Sequence, residues 1–357
     1  MRALVLPYGS LKCGMWNIKI PKITSIEHNI ISRTAREFII LQPEMKERGS
    51  AARLRLPGDN NKGNKTIIYM NTISNKQYGG ERPLFGVSDT RLENIVITDG
   101  ESGIKFCKNI ECDNSKFYGK YPWWHVDGSL ITRCYFAPGS RSAIWYSDNM
   151  TMKDSVIDGP KFFREMNGLT LENVRINDAD ETFWHVNGVR ATNLRLHEGT
   201  YPFMHSSDIY VDGLESDAKY IFQYCKNVEV HHAKITTKDS FWECENVTVY
   251  DSEIDGEYTA WHSKNVRFVN CHFAGEQLFC YVDNLVLENC TIDAASDRMF
   301  EDSTVEADIR GSITEVKNPV AGHIVADKIG KVTFDRYARP TTCVIEERCS
   351  KDGQECA

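Results

Sequence analysis

Apolar residues recur along this chain with two superposed periods. Over short stretches they alternate with polar ones, as in Val228-Glu229-Val230 and Val247-Thr248-Val249. That alternation marks a strand with one buried face. Over longer distances a whole phrase returns. The stretch from Glu245 to Ile254 is echoed from Lys264 to Phe273 and again from Asp283 to Ile292. Anchored on the residue after the first Asn or its equivalent, the phrase recurs at Thr90, Ile110, Leu130, Met150, Leu169, Val189, Ile209, Val228, Val247, Val266, Leu285 and Val305. Successive anchors are always 19 or 20 residues apart, and Ile324 gives a weaker thirteenth.

Each unit repeats one internal order. The anchor and the residue two later are mostly apolar, with a polar residue between them. Four residues after the anchor stands Asn or Asp in eight of twelve units: Asn94, Asn114, Asp154, Asn173, Asn193, Asp251, Asn270 and Asn289. These residues tolerate left-handed backbone, which predicts a corner. Apolar residues five and seven after the anchor predict a second strand, as in Val174 and Ile176. A third apolar column lies six before the next anchor: Leu84, Ile104, Trp124, Ile144, Phe163, Phe183, Phe203, Phe222, Phe241, Ala260, Phe279 and Met299. Three short strands and three corners in so few residues cannot reverse direction three times in a hairpin sheet. They can close one turn of a coil whose strands stack parallel on their equivalents. The predicted fold is all-β, a single-stranded parallel β-helix of about 12 to 13 short coils of 19–20 residues. The usual chirality of parallel crossovers makes it right-handed. A leucine-rich repeat fails on Leu spacing, and a propeller blade needs twice the period.

Charge divides the chain. Residues 1–69 hold 12 Lys or Arg against 5 Asp or Glu, and the remainder holds 30 against 45. Residues 1–69 also lack the repeat, so they are expected to be a flexible arm or an extraneous extension, with Met70 as the alternative start. The β-helix is expected over 70–335 and a C-terminal tail over 336–357. An acidic balance argues against a nucleic-acid partner, and no apolar run is long enough to span a bilayer. The start lacks a secretory-signal pattern, and a chain this long needs no stapling. Its 12 cysteines are therefore expected to be reduced thiols in a cytoplasm. Cys107, Cys225 and Cys244 share one repeat position and read as small buried filler. Cys343, Cys349 and Cys356 lack metal-ligand spacing, so no metal and no cofactor is expected.

Four segments carry a family resemblance: Gln77-Tyr-Gly-Gly-Glu-Arg-Pro-Leu-Phe-Gly86, Lys120-Tyr-Pro-Trp-Trp124, Ala143-Ile-Trp-Tyr-Ser147 and Glu245-Asn-Val-Thr-Val-Tyr-Asp-Ser252. Through them, residues 70–335 resemble an uncharacterised bacterial family, domain of unknown function 3737, within the pectin-lyase-like β-helices. The resemblance implies a right-handed parallel β-helix, a bacterial origin and a boundary near Met70. It implies no activity. The motifs of the superfamily's polygalacturonases, such as Asn-Thr-Asp and Gly-His-Gly, do not occur in the chain. Nor are acids gathered for calcium as in its pectate lyases, since Glu93 and Asp113 are followed by Arg133 and Lys153. A shared fold does not by itself make an enzyme.

One column changes character. Five residues before each anchor stand Lys105, His125, Trp145, Arg164, Trp184, Met204, Gln223, Trp242, Trp261, Cys280 and Phe300. The next position reads Phe106, Val126, Tyr146, Glu165, His185, His205, Tyr224, Glu243, His262, Tyr281 and Glu301. If the Phe column points inward, its neighbours point out. The candidate ligand face is then Trp145, Trp184, Trp242 and Trp261 with Glu165, His185, His205, Glu243 and His262. Flat rings stack on sugars and polar neighbours bond hydroxyls, so the expected partner is a saccharide. A Glu–His contact, Glu165 with His185 or Glu243 with His262, would orient an imidazole. The bland alternative has the Trp column packing inward, or lying under a loop or a second copy in a homo-oligomer. Two function classes follow: a non-catalytic carbohydrate-binding or scaffold β-helix, and a polysaccharide lyase or glycoside hydrolase. Glu165 and Glu243 stand four turns apart, roughly 19 Å, too far for a hydrolytic pair. No residue is assigned a catalytic role. His231 and His232 read as surface and corner residues.

Overall fold

The computed structural model describes residues 70–348. The anchor side of the repeat runs unbroken from Asn71–Ser74 to Val344–Glu347, every strand parallel to its equivalent one turn on. About 15 turns stack in this way, with no helix among the described residues. The coil is thus longer than the phrase that marks it, and its last strand lies beyond 335. The expected N-terminal segment lies outside the described residues.

The alternation sets the register. Val228, Val247, Val266 and Leu285 are mutual partners, and all are buried. A slip of one residue would turn each apolar pair out to water. The third unit departs from the reading of the sequence. Ile110 pairs with Ser129, not Leu130, and Ser129 is the buried residue. The unit from 123 to 130 therefore moves by one position. Trp123 faces the core, and Trp124 stands in the outward column where the repeat spacing places His125. At the far end Phe300 is fully buried and stacks on Phe279, so it belongs to the inward column.

The third side is a strand only in some of the earlier turns, such as those of Trp123–Thr132 and Trp184–Leu196. From Phe203 onward it is a turn whose inward residues are left-handed: φ is 67° at Phe203, 59° at Phe222 and 55° at Phe241. Such a backbone costs a non-glycine residue about 1–2 kcal/mol, and two features offset it. The rings stack along the axis, Phe183 on Phe203 at 4.4 Å and Phe203 on Phe222 at 4.6 Å between centroids. A buried Ser or Cys in the following turn also donates to the Phe carbonyl. Ser206 Oγ reaches Phe183 O at 2.5 Å, Cys225 Sγ reaches Phe203 O at 2.8 Å, and Cys244 Sγ reaches Phe222 O at 2.6 Å. The cysteines at this position are fillers, as expected, and donors as well. All described cysteines are free thiols.

All eight predicted Asn or Asp corners are left-handed, with φ between 47° and 54°. Their side chains bond to one another from turn to turn, as Asn94 Nδ2 does to Asn75 Oδ1 at 3.0 Å and Asn289 Nδ2 to Asn270 Oδ1 at 2.8 Å. Asn94, Asn173 and Asn270 each donate to one neighbour and accept from the other, so a corner exposed to water still has a fixed shape.

Candidate functional site

The two outward columns run side by side along the third side of the coil. The Trp column is half-buried rather than inward or free. Its polar atoms are tied down. Trp124 Nε1 donates to Ser142 O at 2.8 Å, Trp145 Nε1 to Lys161 O at 2.7 Å, Trp184 Nε1 to Tyr201 O at 2.8 Å and Trp261 Nε1 to Gln277 O at 2.5 Å. Each indole thus satisfies a corner carbonyl 16 to 18 residues further on. Their faces are also taken. Trp124 stacks on Trp145 and Trp242 on Trp261, both at 5.4 Å. The Arg164 guanidinium lies between Trp145 and Trp184, 4.8 and 4.2 Å from the two rings. It also pairs with Glu181. Rings that meet face to face along the rod present only their edges to water. The expected stacking platform is therefore not available along most of this column.

The neighbouring column forms an exposed stripe on residues with left-handed backbone, from Phe106 (φ 53°) and His125 (50°) to His262 (56°) and Tyr281 (61°). Its rings stack as well: His125 on Tyr146 at 5.1 Å, His185 on His205 at 5.1 Å, His205 on Tyr224 at 4.8 Å and His262 on Tyr281 at 4.7 Å. Glu165 and Glu243 interrupt the stack. The outer tips of Tyr146, Glu165, His185, His205, Tyr224, His262 and Tyr281 bond to no side chain or backbone group among the described residues, whereas Glu243 accepts a long bond from Trp242 Nε1 at 3.4 Å. Neither expected Glu–His contact forms: Glu165 and His185, like Glu243 and His262, are neighbours in the column without a hydrogen bond. The structure thus gathers Glu165, His185, His205, Glu243 and His262 into one row, with Trp145, Trp184, Trp242 and Trp261 packed beside it. Sequence reasoning missed His125 in that row through the one-residue slip at Leu130.

Partial burial shifts four groups of the row, His125, His205, Tyr224 and Tyr281. It lowers His205, with a further push from His185, and it lowers His125, with a further push from Lys105. It raises Tyr224, helped by Glu243, and Tyr281, helped by Glu301. The row thus offers phenol hydroxyls, imidazole nitrogens and two carboxyl groups.

Fold and stripe together define a parallel β-solenoid with one chemically distinct edge. Residues 71–346 match the family described as "Protein of unknown function (DUF3737)", and the chain belongs to that family. No curated protein matches it by sequence. Among solved structures it is similar to the tailspike protein of E. coli bacteriophage HK620 in complex with pentasaccharide, at 10% identity, TM-score 0.40, over 78% of this chain and 74% of that one. It is similar to the A-module of Azotobacter vinelandii mannuronan C-5 epimerase AlgE4, at 11% identity, TM-score 0.27, over 78% and 90%. It is also similar to QnrB1, a plasmid-mediated fluoroquinolone resistance protein, at 10% identity, TM-score 0.18, over 61% and 92%.

Proposed function

We propose that this chain is a non-catalytic, carbohydrate-binding β-helix that holds an extended neutral saccharide along the corner stripe. The observation that carries this is the row of outward tips, one per turn from Tyr146 to Tyr281, all unpartnered among the described residues except Glu243. Turns repeat at about 4.8 Å, and one sugar ring of an extended chain advances by a similar distance. A comb of donors and acceptors at that spacing can meet a hydroxyl on every ring. Packing against ring edges replaces the face stacking that the sequence suggests. Glu165 and Glu243 favour a neutral sugar over an acidic one. They lie too far apart to cut it.

The test is a titration of the full chain with neutral gluco-oligosaccharides of increasing length. Affinity should rise with each added ring until the sugar spans the row, and His185→Ala with His205→Ala should flatten that rise. Affinity that ignores length, or a rise that survives both substitutions, would contradict the proposal.

A further inference from the structure

One corner further along the chain, a second feature lies on the anchor-strand face. A shallow groove of about 810 Å³ crosses five turns, floored by Gly168 and Gly188 and walled by Thr170, Arg190, Tyr210 and Glu229. Its origin is a step in the corner ladder. Toward the C-terminus the left-handed corner residue itself carries the ladder: Asn227 donates to Asp208 at 2.8 Å, Asn246 to Asn227 at 3.0 Å and Asn265 to Asn246 at 2.9 Å. At Gly168 (φ 73°) and Gly188 (φ 77°) the corner has no side chain. There the preceding residues take over, with Asn187 Nδ2 bonded to Asn167 Oδ1 at 3.3 Å and Ser207 Oγ to Asn187 Oδ1 at 3.0 Å. The ladder moves aside by one residue and leaves the corner bare. Close packing does not demand the glycine, because a Cβ at Gly188 would meet nothing nearer than 3.7 Å. Here glycine opens space.

Arg133, Arg164, Arg195 and Arg267 each reach a carboxylate. Arg190, like Arg141, Arg175 and Arg336, reaches none among the described residues, but it alone of these lines the groove, with its guanidinium 5.8 Å from the centre of the Tyr210 ring. Further along, Glu229 is held by His231 Nε2 at 2.8 Å, and His231 stacks on Tyr250 at 4.6 Å. His231, read from the sequence as a plain surface residue, thus fixes one wall. The groove offers a forked cation at one end, an oriented carboxylate at the other, and hydroxyls of Thr170 and Tyr210 around the cation.

We propose that this groove binds a hydroxylated organic anion, with a carboxylate or phosphate on Arg190 and hydroxyls on Tyr210, Thr170 and Glu229. A guanidinium forks naturally onto either anion. Glu229 accepts from hydroxyls and repels a second charge, so the ligand is an anion at one end only.

The experiment is calorimetric titration of the full chain with glucuronate, glucose 6-phosphate, glucose and inorganic phosphate. Either or both sugar anions should bind, and which one does identifies the anion. Glucose and inorganic phosphate should each bind at least about tenfold more weakly, reflecting a lost charged hydrogen bond or lost hydroxyl contacts. Arg190→Met should cost about tenfold or more. Gly188→Asn should continue the ladder, melt no lower than the parent and abolish binding, because asparagine accepts left-handed backbone. His185→Ala, in the stripe, should leave this binding unchanged. The proposal is overturned if neither sugar anion binds, if glucose or inorganic phosphate binds as tightly as they do, or if the Arg190 variant binds like the parent.

Discussion

A single inward residue shows how this coil stays folded. Phe222 takes a left-handed backbone, stacks between Phe203 and Phe241, and has its carbonyl bonded by Cys244. Phe222→Ala should cost about 3–5 kcal/mol. The exposed Glu253→Ala should cost under about 0.5 kcal/mol, and urea denaturation of both variants checks the contrast. The buried thiols give a second check. Burial raises Cys112 and Cys225 and pushes Cys280 up to about 12. At pH 8 an alkylating reagent followed by site-resolved mass spectrometry should find all three protected in the native protein and labelled after unfolding. A third concerns acid. Burial and His185 hold His205 below its ordinary value of 6.5, so the folded state binds fewer protons than the unfolded state as pH falls. Stability should therefore decline from about pH 6.5 downward until pH passes below the folded-state midpoint. His205→Gln should shrink that decline, and a decline of the same size in the variant would contradict it. Inward and outward faces at this scale were legible from alternation alone. The half-buried state of the Trp residues was not, because it depends on carbonyls of the next corner, which the Trp124, Trp145, Trp184 and Trp261 indoles reach.

At the scale of the element, the repeat was legible because each strand must match its neighbour. A period of 19 or 20 residues with Asn or Asp at one corner leaves few alternatives to a coil. The errors fell where chemistry departs from pattern. Choosing apolar Leu130 over Ser129 as the anchor displaced Trp124 and His125 by one place. A serine can hold a core position when the cavity is small, and alternation cannot reveal that. The expectation of a strand on every third side held only in some of the earlier turns, although the inward Phe is left-handed with or without a strand after it, as at Phe183 and Phe203. The Arg164 sandwich tests what the outward ladder contributes. Arg164→Lys keeps the charge but loses the flat contact with Trp145 and Trp184. It should lower stability by about 0.5–1 kcal/mol in urea denaturation. No change would mean that the ladder adds little beyond its carbonyl bonds.

Over the described residues as a whole, about 15 turns share one core and differ mainly in what they show to water. The repeat makes that difference directional: a substitution recurring at one position becomes a line along the axis. The stripe is such a line, and its column was legible in the sequence because Tyr, His and Glu replace apolar residues at a single repeat position. That its rings stack on each other, and so offer edges, depends on axial spacing and ring orientation that sequence does not carry. The most direct measurement is a glycan array probed with the full chain and with the triple variant Tyr146→Phe, Tyr224→Phe, Tyr281→Phe. The variant keeps every ring in its stack and removes only three hydroxyl tips. It should melt within a few degrees of the parent and lose most of the signal on neutral oligosaccharides. An unchanged signal from a variant that folds like the parent would show that the stripe is not where a saccharide is held.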